Sequence, residues 1–302
     1  MKKFIALILA TLMLLSFVAC DFESSDNDSA KDKDNAKKNE QNDEQDDIKG
    51  EVVFSELVVV DNAECVIKIT EINPDNMWGY KLKVQLENKS ADKTYMFAVE
   101  DAAINGVQCD PLFAAEVTAG KKANKDITFT TTNFEENGIK NFTDIELNFR
   151  VYDSDDWGAE DVVKKTVHVY PYGEDKASKF VRASQASDKI ILDNEYVTVI
   201  ATGFEMDDIW GYKAKLFFIN KTNKNLMFSV NDASVNGYMA DPFFSKEVSA
   251  DKCAFGNMTW SNSEFEKNGI TDVEKIEFNL RIYDNDDWFG DDLVNMAVTL
   301  IP

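Results

Sequence analysis

The amino-acid sequence predicts an all-β protein made of two tandem antiparallel β-sandwiches. Three observations lead to this expectation. A unit of about 120 residues occurs twice, hydrophobic and polar residues alternate within each copy, and turn signals separate the alternating segments. Each copy is long enough to form its own hydrophobic core. We therefore expect repeat 1 at residues 51–172, a linker at 173–188 and repeat 2 at 189–302.

Residues 1–19 have the features of a secretory signal. A basic start precedes an apolar run from Phe4 to Val18, which is short for a transmembrane helix. The run closes with Phe17-Val18-Ala19-Cys20, which resembles the lipobox of bacterial lipoproteins, with Phe17 in place of the usual Leu. This resemblance implies that Cys20 is lipidated and holds the chain on the extracytoplasmic face of the cell membrane. An ordinary secreted protein and an uncleaved anchor are the alternatives.

The segment that follows the signal, residues 20–50, is predicted to be a disordered acidic tether. It is rich in Asp, Glu, Lys, Asn and Ser and has almost no aliphatic residues. Such a segment cannot bury enough apolar surface to offset the entropy lost on ordering. We expect it to hold the folded part of the chain away from the bilayer.

The strands of repeat 1 are predicted from hydrophobic residues at every second position. Tyr80, Leu82, Val84 and Leu86 alternate with charged or amide side chains, which is typical of a strand with one buried face. The segment 145–152 has the same pattern, and further strands are expected at residues 52–60, 65–72, 96–99, 127–132 and 162–169. Repeat 2 keeps the pattern at Ile276, Phe278, Leu280 and Ile282.

Turns and one helical segment complete each repeat. Asn105-Gly106 and its copy Asn236-Gly237 are favourable type I′ hairpin turns, because Asn and Gly accept positive φ. Residues 133–138 and 263–269 each predict a helical turn that ends at Gly. Seven or eight short strands in about 120 residues suggest sandwiches of immunoglobulin type, although the Cys-Trp-Cys signature of antibody domains is missing.

Differences between the copies carry two further expectations. Phe217 and Ile219 in repeat 2 replace Gln85 and Glu87 of repeat 1 on an outward face, so we expect this face of repeat 2 to be covered by the neighbouring domain or by a partner. No cysteine is shared by the two repeats. Cys65 fits a small buried position, and a bridge between Cys65 and Cys109 is the alternative.

Composition argues against several functions. The formal net charge is −23, which would repel nucleic acid. His168 is the single histidine and lies on a predicted polar face. A Ser-His-Asp or Cys-His catalytic arrangement would have to use this residue, which argues against one. No Gly-rich phosphate loop occurs in the sequence. We expect a protein that is not an enzyme and has no cofactor, with a carboxylate-based envelope hydrolase as a remote alternative.

Acidic turns are the main candidates for a functional site. Asp153, Asp155 and Asp156 precede Trp157, and repeat 2 keeps the set as Asp284, Asp286, Asp287 and Trp288. Clustered carboxylates are ligands that Ca²⁺ prefers, although the spacing is not that of an EF-hand. The favoured interpretation is a solvated turn whose acids cap backbone N–H groups and pair with Arg150 or Arg281. A second acidic turn, residues 74–77 and 205–208, precedes each Trp-Gly-Tyr and would strengthen the calcium hypothesis if it lay nearby.

The tryptophans of the duplicated unit allow two interpretations. Trp78 and Trp210 begin the shared Trp-Gly-Tyr-Lys sequence, and we expect this sequence to mark the entry to a central strand. A Trp beside a Gly is commonly a core residue, which is the favoured interpretation for both. Stacking on sugar rings is the alternative for Trp78, Trp210, Trp157 and Trp288. Trp157 and Trp288, beside the acidic turns, are the candidates for contact with a partner.

In broad terms the chain resembles lipoproteins of Firmicute-type bacteria that carry tandem immunoglobulin-like domains of unknown function. The resemblance rests on the lipobox, the polar tether and the Trp-Gly-Tyr-Lys strand followed by Asn-Gly. It implies a lipid-anchored, non-enzymatic binding or scaffolding protein with an envelope protein or polymer as partner. A calcium-dependent adhesion module is the alternative.

Overall fold

An all-β, sandwich-type fold is formed by residues 51–156, 158–207, 209–287 and 289–302, which the computed structural model describes. This confirms the predicted fold class. The predicted signal, Cys20 and the tether lie outside the described residues. No helix in the described part of the chain is both long and apolar enough to cross a membrane.

Repeat 1 consists of strands and one short helix. The elements are β1 (Leu57–Asp61), β2 (Cys65–Asn76), β3 (Gly79–Asn88), β4 (Tyr95–Ile104), β5 (Val107–Cys109), β6 (Ala114–Val117), β7 (Lys122–Phe129), α1 (Thr132–Glu136), β8 (Ile145–Asp153) and β9 (Val163–Val169). A short 3-10 helix, Glu174–Lys176, lies at the start of the linker.

Repeat 2 has the same order of elements. They are β10 (Lys189–Asp193), β11 (Val197–Asp207), β12 (Gly211–Asn220), β13 (Leu226–Val235), β14 (Tyr238–Met239), β15 (Lys246–Val248), β16 (Cys253–Trp260), α2 (Asn262–Asn268), β17 (Ile276–Asp284) and β18 (Val294–Leu300).

The two short strands β5 and β6 of repeat 1 were not predicted from the sequence, because three or four residues show no clear alternation.

Each repeat places the same strands in the same two layers. One layer of repeat 1 has the order β1-β2-β3-β7, and the other has β5-β4-β8-β9 with β6 on the edge of β4. In repeat 2 the corresponding orders are β10-β11-β12-β16 and β14-β13-β17-β18, with β15 on β13. The pairing inside each repeat is antiparallel, and a separate hydrophobic cluster lies in each repeat.

The predicted periodicity explains the core. Tyr80, Leu82, Val84 and Leu86 of β3 are all buried, and so are the inward residues of β8. Both Asn-Gly turns have positive φ at the two central residues, as predicted: 52° and 80° at Asn105 and Gly106, 53° and 84° at Asn236 and Gly237. The two helices lie where helical turns were predicted. Ser261 caps α2, and Gly269 ends it with a φ of 67°.

A parallel pairing joins the repeats into one sheet. β16 of repeat 2 lies beside β5 of repeat 1, with Cys253 opposite Val107, and the Cys253 N–H donates to the Gly106 carbonyl at 3.1 Å. The resulting sheet has nine strands. We call this contact the joint. It brings the start of β16 against the Asn105-Gly106 turn.

Linker residues cover the face on which Phe217 lies. Phe217 is 3% exposed, and its ring centroid is 4.8 Å from that of Phe255 and 6.3 Å from that of linker residue Phe180. The Arg182 guanidinium lies 5.8 Å from the Phe217 ring centroid. The expectation that this face is covered is thus confirmed, and the cover is the chain's own linker.

The three described cysteines are free thiols. Cys65 is fully buried in the core of repeat 1, as its position in the strand pattern predicts. Cys109 and Cys253 are partly buried and lie on either side of the joint, on β5 and β16. The alternative of a bridge between Cys65 and Cys109 is not what the structure contains.

Candidate functional site

The acidic turn of repeat 1 uses its carboxylates to hold the turn itself. Asp153 accepts a hydrogen bond from the Asp155 N–H at 3.1 Å through Oδ1, and its Oδ2 lies 3.3 Å from Lys93 Nζ. Asp156 accepts from the Gly158 N–H at 3.2 Å. Asp155 and Asp156 are exposed. These contacts are those of a capped, solvated turn.

The acidic turn of repeat 2 has the same construction. Asp284 accepts from the Asp286 N–H at 3.0 Å, and its Oδ2 lies 2.7 Å from Lys224 Nζ. The hydrogen bond with Lys224 lowers the pKa of the Asp284 carboxyl. Asp286 and Asp287 are exposed to solvent. Trp157 and Trp288, the tryptophans beside these turns, lie outside the described residues.

One further acid of each turn, Asp161 in repeat 1 and Asp292 in repeat 2, is bound to an arginine. Asp161 lies 2.7 Å from Arg150 Nε, and Asp292 lies 2.7 Å from Arg281 Nε. Within the described ranges, no three His, Cys, Asp or Glu side chains are grouped so that they could hold a metal ion. The acids of both turns thus make the backbone and Arg contacts of a solvated turn, and the calcium alternative stays a prediction.

The other acidic turn does not lie near these carboxylates. Asp75 lies at the end of β2, one residue before Asn76, which pairs with Gly79 at the start of β3. Ser154 binds Thr94 beyond the far end of β3. The two acidic turns of repeat 1 therefore lie at opposite ends of the sandwich. The proximity that would have strengthened the calcium hypothesis is absent from repeat 1 as described.

Two tryptophans lie on exposed hairpin tips, contrary to the expectation that they are core residues. Trp78 is 70% exposed in the β2–β3 turn, and Trp210 is 67% exposed in the β11–β12 turn. The residues before them, Met77 and Ile209, are also exposed. The glycine that follows each Trp accounts for the error, since it permits a tight turn that leaves Trp outside while the next Tyr enters the core.

Hydrogen bonds fix both tips in place. Asn76 accepts a hydrogen bond from the Trp78 N–H at 3.0 Å. In repeat 2, Asp207 accepts from the N–H groups of Ile209 and Trp210 at 2.8 and 2.9 Å, and its other oxygen lies 2.7 Å from Lys213 Nζ. An exposed aromatic ring on an ordered turn loses little conformational entropy when it binds a partner.

A cavity of about 370 Å³ lies beneath the Trp78 hairpin. Pro74 and Asp75 of the hairpin line it together with Tyr80, Phe142 and Tyr172. The Tyr80 hydroxyl is buried and has no hydrogen-bond partner within the described part of the chain. A tyrosine hydroxyl is a neutral hydrogen-bond donor, and burial raises its pKa here further above the ordinary value. Repeat 1 thus combines an exposed indole, a carboxylate and a buried hydroxyl at one end.

A larger, polar cleft of about 600 Å³ lies at the joint. Asp101 and Gln108 of repeat 1 and Ser249 and Lys252 of repeat 2 contribute to its walls. Burial raises the pKa of Asp101, whose carboxylate accepts from the Ser249 hydroxyl at 2.7 Å. Sequence reasoning missed these residues because the pairs are more than 100 residues apart and nothing in one strand pattern connects them.

Comparisons with known proteins do not identify a family. No protein-family model matches the sequence, and no curated protein matches it. A solved structure of a protein of unknown function from Porphyromonas gingivalis W83 is similar over 82% of this chain and 100% of that chain, with 14% identity and a TM-score of 0.21. This similarity bears on neither the fold nor the function.

Proposed function

We propose that this protein is a lipid-anchored, non-enzymatic binding protein of the bacterial cell envelope, which contacts its partner through the Trp78 and Trp210 hairpins. The observation that supports this proposal is the duplicated exposed tryptophan on an ordered turn. Large exposed aromatic side chains are costly to present to water and are enriched among residues that dominate binding energy.

The membrane part of the proposal rests on the sequence. A basic start, an apolar run and a cysteine at its end are the signals that lipoproteins use, and Cys20 is the residue that would carry the lipid. The acidic tether would then place the two repeats outside the membrane. The negative charge of the chain favours a neutral or cationic partner over an anionic one.

Binding to isolated envelopes tests the proposal. Residues 51–302 contain both hydrophobic cores, so we expect this fragment to fold without the anchor. We expect this fragment to cosediment with envelopes of the host bacterium, and the double variant Trp78→Ala and Trp210→Ala to bind at least about tenfold more weakly. Protease treatment of the envelopes separates a protein partner from a polymer. Phe289→Ala removes another fully exposed aromatic and is the matched control.

Three outcomes would overturn the proposal. They are unchanged binding by the double tryptophan variant, equal loss in the Phe289→Ala control, and hydrolysis of envelope polymer by the fragment. Addition of Ca²⁺ or a chelator is expected to leave binding unchanged. For the anchor, unchanged membrane fractionation of a Cys20→Ser variant would remove the lipid from the proposal.

A further inference from the structure

The joint pairs two edges that are not equivalent in the duplicated unit. β5 is the fifth strand of repeat 1, whereas β16 is the seventh strand of repeat 2. The counterparts of these edges are β14 in repeat 2 and β7 in repeat 1. Each of these is the terminal strand of its sheet, with a paired neighbour on one side only. The chain therefore contains this pair of edges twice. β5 and β16 pair with each other, whereas β14 and β7, which we call the unused edges, do not.

The residues that form the charge pair of the joint have equivalents elsewhere in the chain, one of which, Glu277, lies 3.0 Å from Lys275 Nζ of its own repeat. Lys252 Nζ lies 2.6 Å from Glu146, and each side chain is 16% exposed. The equivalent residues, 131 positions away, are Lys121 in repeat 1 and Glu277 in repeat 2. Lys121 is exposed and lies in a turn of the same geometry, since its N–H binds the residue three positions earlier, as the Lys252 N–H does.

The hydroxyl–carboxylate contact of the joint is also duplicated. The Ser249 hydroxyl donates to Asp101, and the equivalent residues are Thr118 and Asp232. Thr118 lies in the same turn as Lys121, and both Thr118 and Asp232 are exposed. The residues of both polar contacts are thus present a second time, Thr118 and Lys121 on one molecule and Asp232 and Glu277 on another. To form the contacts, Asp232 and Glu277 would share or exchange their present partners, Asn279 and Lys275.

The unused edge β14 exposes apolar side chains at positions that the joint covers on the equivalent strand β5. Val107 of β5 is 2% exposed, whereas its counterpart Tyr238 is 53% exposed and the next residue, Met239, is 64% exposed. An exposed apolar edge strand is a template for pairing with another chain. The edge β7 carries Lys122 and Lys125 as well as Asp126, and Asp232 and Glu277 lie on strands near β14. Charges of opposite sign would therefore meet in this arrangement.

We propose that copies of this chain associate head to tail, with β14 of one molecule beside β7 of the next in the arrangement of the joint. The contact joins two different surfaces, so it does not form a symmetric two-fold dimer but extends from copy to copy, into a ring or an open linear assembly. This inference is independent of what the tryptophan hairpins bind.

The contact between molecules is weaker than the joint. Phe217 and Phe255, which pack with the linker at the joint, are replaced in repeat 1 by Gln85 of β3 and Asn124 of β7. Lys122 replaces Cys253 at the start of the strand. The association is therefore reversible and depends on concentration, and ionic strength weakens it because its polar contacts are charged and partly exposed.

Sedimentation velocity of residues 51–302 over a range of concentrations tests the proposal. We expect a series of species that grows with concentration. Lys121→Glu and Glu277→Lys should each weaken the association at least tenfold, because each places like charges together. The double variant restores an opposite pair at every contact and should restore the series. Lys267→Glu makes the same charge change on an exposed site of α2 and should leave the series unchanged.

The proposal is overturned if the protein stays monomeric at the highest soluble concentration, or if association stops at a dimer. It is also overturned if the single variants associate normally or the double variant does not recover. Lys121 and Glu277 are exposed or partly exposed, so circular dichroism should confirm that each variant is folded.

Discussion

Gly79 and Gly211 show why the Trp-Gly-Tyr sequence is kept in both repeats. Their φ values are 111° and 90°, a region that L side chains rarely adopt. A Cβ atom at Gly79 would lie 2.2 Å from the Phe129 carbonyl oxygen, and one at Gly211 would lie 2.1 Å from that of Trp260. Glycine here allows the strand entry to approach its neighbour while the preceding tryptophan remains outside.

Gly79→Ala is expected to lower the free energy of unfolding by about 2 kcal/mol or more, since positive φ and a backbone clash add together. Denaturant titration of residues 51–302 measures the change. Gly120→Ala is the matched control, because Gly120 has a φ of 67° with no atom within 4 Å of the added carbon. We expect that control to lose about 1 kcal/mol. Equal losses in the two variants would contradict the steric argument.

Two buried asparagines carry a role that strand patterns did not reveal. Asn88 and its copy Asn220 end β3 and β12, and each is almost fully buried. The Asn88 amide donates to the carbonyls of Lys93 and Val117, both at 2.8 Å, and thereby ties the β3–β4 turn to β6. Alternation predicts which residues are apolar and inward. It does not show that an inward polar residue such as Asn88 can donate hydrogen bonds to backbone carbonyls of a neighbouring loop.

At the scale of elements, the two tryptophan hairpins differ in what holds them. An uncharged Asn76 supports the first tip, whereas the carboxylate of Asp207 supports the second. The hydrogen bond from Lys213, followed by those from the Trp210 and Ile209 N–H groups, lowers the pKa of Asp207 to about 2. The second hairpin is therefore the one that responds to acid.

The pH dependence follows from that lowered pKa. The pKa in the folded state lies below the ordinary value of 3.8, so the stabilisation is complete above that value and is lost as pH falls through about 2. NMR titration of the amide protons should show Ile209 and Trp210 changing with a midpoint near 2. The Trp78 amide, whose partner is Asn76, is the internal control and should show no such midpoint. A midpoint near 3.8 for Trp210 would contradict the role of Lys213.

The elements show where sequence reasoning succeeded and where it stopped. The long strands and the Asn-Gly turns were predictable, because alternation and positive φ are local properties. The exposure of Trp78 was not, since the same residues fit a core position or a turn tip until the bend at Gly79 is known. The backbone caps of the acidic turns were predictable, because they join residues close in sequence. The distance between these turns and Asp75 was not predictable, because it depends on the direction in which β3 crosses the sandwich.

At the scale of the whole molecule, the joint makes one sheet from two repeats. Its apolar part depends on Phe217, Phe255 and Phe180, and its polar part on Lys252 and Glu146. The sequence predicted that the Phe217 face is covered, because Gln85 occupies the position in repeat 1. It did not predict the partner edge, since pairing between distant strands leaves no local pattern.

Phe217→Gln, which installs the repeat 1 residue, should weaken the joint by about 1.5–3 kcal/mol, the value for burying a phenylalanine side chain. We expect calorimetry to separate the unfolding of the two repeats, whereas the native fragment should unfold in a more cooperative transition. Ile190→Gln changes an exposed residue of β10 and should leave the profile unaltered. Identical profiles for Phe217→Gln and the native fragment would show that the repeats are coupled by other contacts.

The sequence separation across the joint has a consequence for folding. The Cys253 thiol and the Gly106 carbonyl, which meet there, are 147 residues apart, whereas the hairpins within each repeat join near neighbours. Closing so long a loop costs more entropy than closing a hairpin, so we expect the repeats to acquire their own sheets before they dock. During that interval the outer edge of β5 is bare. The last step of folding is therefore also the step at which a neighbouring molecule competes for the same edge.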